Sequence, residues 1–320
     1  MSAVASDPPE ASPDFNDGLG SGVVIDASSG LALGATPAAR PRRQTGVAAL
    51  ALLGVYLAVF GPGIASSFRS VLGDATRVDT TWPARVAALE WDVFAVLIVV
   101  TVVLRWLPKH APDVTARMAL QRRLGRAVPG GIAGAAAGFV AIAMVSSRLG
   151  DQVATGLDLV HGGQPQAGTG LGSFLSSVSA AASAALTEEL VLVALAVALV
   201  EQYAAERNER ARWLVPGTLG LLLALRWLVH LYYLWGSVFV LFWVPGVYLL
   251  YRWVGSVWPL VLGHFGYDCA ALAGHAFPST TSAVDAGLWA VSGVGVVALA
   301  ASVARRPLTR SGSGPRRRSS

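Results

Sequence analysis

Long apolar runs broken by short polar segments set the pattern of the whole chain. A bilayer-crossing helix needs about 20 mostly apolar residues, and runs of about that length predict spans over 45–68, 87–107, 128–146, 171–203, 213–233, 237–254, 257–273 and 285–304. The expected fold is therefore all-α, a polytopic transmembrane bundle of about eight helices over 45–304. Residues 1–44 are rich in Pro, Gly, Ser, Ala and Asp without a sustained period and read as a disordered tail. They lack a basic start followed by an apolar run, so no cleavable signal peptide is expected. Residues 305–320 read as a second, basic tail. The first span is expected to be interrupted at Gly61-Pro62-Gly63, and the Gly- and Ala-rich third span to pack closely. A polar loop over 147–170 and a charged connector over 206–212 flank the fourth span.

That fourth span is the organising one, because two adjacent carboxylates, Glu188 and Glu189, lie near its middle. A charge at the centre of a span costs about 2.5–3.5 kcal/mol on insertion scales. Two of them need a use or a partner. The half that precedes them, 173–185, is almost entirely Ser and Ala, which lets neighbouring backbones come close enough to enclose the carboxylates in protein.

Composition agrees: 54% of the residues are hydrophobic and 13% charged, against about 25% charged in an ordinary soluble domain. The net charge of +5 does not point to nucleic acid, since the arginines sit beside the spans and report topology. Alternate loops carry nineteen arginines and lysines on one side and four on the other, with Arg226 left inside a span. By the positive-inside rule both termini face the cytoplasm of a multi-pass protein of the cell membrane. Trp91, Trp106, Trp213, Trp235, Trp253 and Trp258 fall near predicted helix ends, at headgroup level. The single cysteine, Cys269, excludes an internal disulfide and reads as a packed thiol. Abundant Ala, Gly, Val and Arg beside one lysine suggest a GC-rich bacterial genome.

The remaining polar groups inside spans come in two pairs four residues apart, Arg226 with His230 and His264 with Asp268. That spacing puts each pair on one helix face, so three spans can supply carboxylates, imidazoles and a guanidinium to one cavity. On these boundaries His264 lies nearer the cytoplasmic end of its helix and His230 nearer the outer end, so a shared site requires them to converge. His110, His161 and His275 lie in loops or at a span end and read as ordinary.

Over 170–275 the run Thr187-Glu188-Glu189-Leu190, the His-Leu-Tyr-Tyr at 230–233, and Trp258-Pro259-Leu260 leading to His264-Phe265-Gly266-Tyr267-Asp268 resemble the CAAX prenyl protease and bacteriocin-processing (CPBP, or Abi) family. Two positions depart from that family's motifs: Val193 stands where it has Arg, and Arg226 where it has Phe. The resemblance implies an intramembrane endopeptidase of the glutamate type. Its substrate would be a membrane-anchored protein or peptide. Glu188 would activate water and His230 would position it. His264 and Asp268 would face the tetrahedral intermediate, Asp268 through a proton or a bridging water. Glu189 is expected to hold a neighbouring helix or the arginine, and Arg226 to have taken over the charge missing at Val193. This reading needs no cofactor, although His230, His264 and Glu188 are also a set that zinc accepts.

Competing readings use the same atoms. Intramembrane Glu, His and Arg serve elsewhere as hydrogen-bonded glue between helices. The loss of Arg at 193 favours a non-catalytic scaffold or immunity-type protein of the same fold. A proton-linked transporter would also use such groups, but the internal repeat that many transporters show is missing.

Overall fold

A computed structural model describes residues 40–71, 82–118, 131–157, 170–207, 213–231 and 235–304. Both tails beyond these residues, and Tyr232 and Tyr233, lie outside the described residues. Among the described residues there is no strand. The chain forms α1 (Arg40–Val71), α2 (Trp82–Val100), a π-helical continuation (Thr101–Trp106), α3 (Leu107–His110), α4 (Pro112–Arg117), α5 (Gly131–Gly156) and α6 (Leu171–Thr187). A second π-helical segment (Glu188–Leu195) leads into α7 (Ala196–Glu206), followed by α8 (Leu214–Val229), α9 (Phe239–Val254), α10 (Trp258–Ala276) and α11 (Thr281–Ala304).

The helical membrane architecture expected from the sequence is present. Five helices are long and apolar enough to cross a bilayer: Arg42–Arg69, Val86–His110, Gly131–Gly156, Leu171–Glu206 and Pro278–Ala301. The helices at Leu214–Val229 and Phe239–Val254 are apolar but shorter, at 16 residues each. Polar His264, Asp268 and His275 interrupt α10.

Several boundaries differ from the sequence reading. The helix of the first span begins at Arg40, inside the stretch read as a tail, and runs unbroken through Pro62. Pro62 and Gly63 are exposed there, so the proline ring meets no packed neighbour that would force a kink. Helix α5 continues ten residues past the expected end at 146, so Arg148 and Asp151 are helical rather than in a loop. The second span, expected to start at 87, begins as α2 at Trp82, so Glu90 and Asp92, which the sequence puts near a helix start, lie well inside the helix. There the Asp92 carboxylate accepts a hydrogen bond from Ser179 Oγ at 2.9 Å, tying α2 to α6.

Small residues set the packing around the fourth span. Helix α5 packs against α9, α10 and α11, and α6 against α2 and α10. A Cβ on Gly263 would stand 2.6 Å from both the Ala136 carbonyl oxygen and Phe139 Cβ. Only glycine permits that α10–α5 approach. One apolar core runs from Ala48 to Leu260 and takes in Leu190 to Ala198 of the fourth span. All eight residues of the π-helical segment Glu188–Leu195 are buried in it. Helix α11, by contrast, keeps large apolar side chains such as Val294 and Val297 exposed, the composition of a lipid-facing surface.

Candidate functional site

The two carboxylates stand where the fourth span changes its winding. Helix α6 is regular up to Thr187, and Glu188 and Glu189 open the π-helical stretch that follows. A π-turn has one more residue per turn than an α-turn and occurs mostly at functional positions inside helices. It rotates successive side chains less than the 100° of an α-helix, so Glu188 and Glu189 can be met by one partner. That partner is Arg226, in the last turn of α8. Its guanidinium is ion-paired with Glu188 Oε2 and with Glu189 Oε1.

Arg226 is buried, and its guanidinium carbon lies 4.4 Å from the centroid of the Trp243 ring. A desolvated cation over an indole face is held by the ring quadrupole as well as by the carboxylates. The sequence reading placed Arg226 within reach of Glu189; the structure brings it to both glutamates. Val193 and Arg226 line the same narrow gap of about 10 Å³, together with Leu192, Leu222, Val244 and Val247.

His264 is the second group on Glu189. Its Nδ1 lies 2.9 Å from Glu189 Oε1, and its Nε2 lies 3.4 Å from Asp268 Oδ2 one turn along α10. Nδ1–H donates to Glu189, while the Nε2–Asp268 contact needs one proton between the two atoms. The imidazole is stacked on Phe139 at 5.3 Å and meets Trp243 edge-on at 5.3 Å. Phe139 and Trp243 thus fix the ring plane and the hydrogen bond fixes its rotation.

His230 caps α8, and its Nδ1 lies 2.9 Å from the Arg226 carbonyl oxygen. A carbonyl only accepts, so Nδ1 carries the proton and Nε2 of the neutral ring is an acceptor. The ring meets Trp243 edge-on at 5.8 Å, so both imidazoles border one indole. The two imidazoles, which the helix boundaries put at different depths, thus converge on one ring from the end of α8 and from α10.

Burial separates the two glutamates. Glu189 is fully enclosed, whereas the side chain of Glu188 retains 9% of its surface and that of Asp268 29%. Arg226 engages Glu188 through Oε2, which leaves Oε1 as its second oxygen. Of the three carboxylates Asp268 is the most exposed, Glu188 keeps a small exposed area and Glu189 none.

Of the three donors that the sequence offers to zinc, Glu188 is ion-paired with Arg226, whose guanidinium already supplies the positive charge that a metal would bring to the carboxylates. His264 and His230 give Nδ1 to Glu189 and to the Arg226 carbonyl oxygen, and each keeps Nε2 as its other ring nitrogen. Among the described residues no group of three or more His, Cys, Asp or Glu side chains is placed to hold a metal ion.

Sequence reasoning missed two contributors, Phe139 and Trp243. Trp243 carried a signal: it falls in the middle of an apolar run rather than at a headgroup-level end, where an indole is otherwise favoured. Phe139 carried none, being one more aromatic in an apolar span.

No known family model matches the sequence, and no curated protein and no solved structure is found to be similar to it.

Proposed function

We propose that the cluster is the centre of an intramembrane peptidase, acting on a membrane-anchored protein or peptide in the manner of the CPBP family that its motifs resemble. The observation that carries this reading is the enclosed Glu189–His264 hydrogen bond set behind the more accessible Glu188. Glu188 Oε1 removes a proton from water as the water oxygen bonds to the scissile carbonyl carbon. The tetrahedral oxyanion is met by the His264–Asp268 pair, which holds the needed proton. The proton on Glu188 then passes to the amide nitrogen as the C–N bond breaks, leaving a new carboxylate and a new amine. His230, whose Nε2 accepts, orients the water. Glu189 and Arg226 are positioning residues: the first turns His264, and the second holds both carboxylates in register. The protein thus belongs, on this reading, to a multi-pass set of membrane hydrolases with cytoplasmic termini.

A second reading is favoured by one observation, that a single guanidinium engages both carboxylates. Such a pair can serve solely to hold α8 against the fourth span in a non-catalytic membrane scaffold. Glu188→Gln separates the two. Protein termini in membranes of cells carrying the parent, the variant or no copy of the gene are compared by mass spectrometry. A peptidase gives precursors that accumulate equally in the variant and in the deletion while the variant protein remains at parental levels. Identical termini in all three strains, with the variant folded, would leave the scaffold reading.

A further inference from the structure

Away from the glutamates, α5, α10 and the start of α11 border an open cleft of about 280 Å³. Its floor is apolar, built from Met144, Val284 and Leu288. Tyr267 lies against that floor with its hydroxyl 3.2 Å from Ser147 Oγ. The rim carries Arg148, Asp151 and Asp285. All three are exposed, and among the described residues no ion pair joins them to one another or to another side chain. Charges of both signs around one apolar floor are complementary to a ligand that carries both signs on an apolar body.

The position in the membrane narrows the ligand. Asp285 stands one turn before Trp289, whose side chain is exposed, the placement of an indole at headgroup level. From there α11 presents Val291, Val294 and Val297 outward, a surface for acyl chains. The positive-inside count sets this end of α5, α10 and α11 in the outer leaflet.

We infer that the cleft is a binding site for a zwitterionic phospholipid with a primary ammonium, of the phosphatidylethanolamine class. Arg148 takes the phosphate as a charge-assisted pair. The ammonium, with three donors, is shared by the Asp151 and Asp285 carboxylates, and a choline headgroup, which has no N–H, cannot make those bonds. The acyl chains run down α11. This site is independent of the peptidase reading, since none of its residues belongs to the Glu188 cluster.

The test is native mass spectrometry of the full-length protein released from nanodiscs made with equal parts of dioleoyl phosphatidylethanolamine, phosphatidylcholine and phosphatidylglycerol. Retained ethanolamine lipid should exceed choline lipid about tenfold, the equivalent of one charge-assisted hydrogen bond. Asp151→Asn with Asp285→Asn should bring the two lipids level, and Arg148→Gln should reduce both. Ala271→Phe, which fills the cleft without touching a charge, should release the bound lipid in the same way, so a folding defect in the charge variants does not decide the matter. Equal retention of both lipids by the parent, preference for the glycerol lipid, or unchanged selectivity in the Ala271→Phe protein would overturn the site. So would full displacement by soluble phosphoethanolamine, which would mark a small-molecule site instead.

Discussion

Replacing Arg226 by leucine probes the contact on which the cluster depends. The guanidinium is buried, engages Glu188 and Glu189 together, and lies 4.4 Å from the Trp243 centroid. Leucine fills much of the space but leaves two adjacent carboxylates without a counter-charge. Breaking a buried pair from one side costs about 3–5 kcal/mol; the lost cation–π contact adds about 1–2 kcal/mol, not additively. At about 2–4 °C per kcal/mol for a chain of this size, the unfolding midpoint should fall by roughly 6–20 °C. The assay is thermal unfolding of the purified protein in one detergent, followed by tryptophan fluorescence. Arg226→Lys should fall between, since an ammonium keeps the charge but loses the two-pronged geometry. The informative arm is the double change Val193→Arg with Arg226→Phe. Val193 and Arg226 border one narrow gap, so a guanidinium placed at 193 starts beside the space that Arg226 now fills and should restore part of the loss. A leucine variant as stable as the parent, or a double variant no better than the single, would refute the idea that this charge has moved between helices.

Three further expectations follow from particular contacts. Fusions of cytoplasmic and periplasmic reporters at both ends and in each loop should place the two termini in the cytoplasm, with the arginine-poor loops outside; an external terminus would overturn the topology read from the charge asymmetry. Gly263→Val drives a side chain against the Ala136 carbonyl and Phe139 Cβ, each 2.6 Å from a Cβ at that position. It should cost about 1–3 kcal/mol in thermal unfolding, and activity should suffer too because Phe139 stacks on His264; a neutral substitution would mean that α5 and α10 are not in close contact. Because Arg226 supplies the cation at the carboxylates, treatment with a zinc chelator should change neither the unfolding midpoint nor the turnover of the parent protein. A midpoint lowered by the chelator and restored by zinc would contradict the arrangement of donors described for Glu188, His230 and His264.

The membrane-bound helical character and the polar groups of the site were legible in the sequence for one physical reason. A carboxylate, an imidazole or a guanidinium inside an apolar run is too costly to be accidental, so Glu188, Glu189, Arg226, His230, His264 and Asp268 stood out without any structure. Their pairing was legible only in part. Arg226 and Glu189 can be matched by charge, but the engagement of Glu188 by the same guanidinium is seen only in the structure, at the residue where the π-helical winding from Glu188 to Leu195 begins. Nothing in Glu-Glu-Leu-Val-Leu-Val announces that winding. Helix ends were misread where polar residues meet the headgroups. Arg148 and Asp151 read as loop residues because they are charged, yet α5 runs through both of them to Gly156. Pro62 reads as a break, yet α1 runs through it without interruption. Five of the predicted spans are long and apolar enough to cross a membrane; the shorter α8 and α9 were legible as apolar runs but not as to how far they extend.

The central claim is that Glu188 activates a water that ends up in the product. It is tested most directly by incubating the purified protein in nanodiscs with solubilised membrane proteins from cells lacking it, in water enriched in oxygen-18, and reading new C-termini by mass spectrometry. The account predicts new C-terminal carboxylates bearing one oxygen-18 with the parent protein and none with Glu188→Gln, while Glu189→Gln, which loosens His264, gives the same termini more slowly. No new termini with the parent, or equal labelling with the parent and the Glu188→Gln protein, would contradict it.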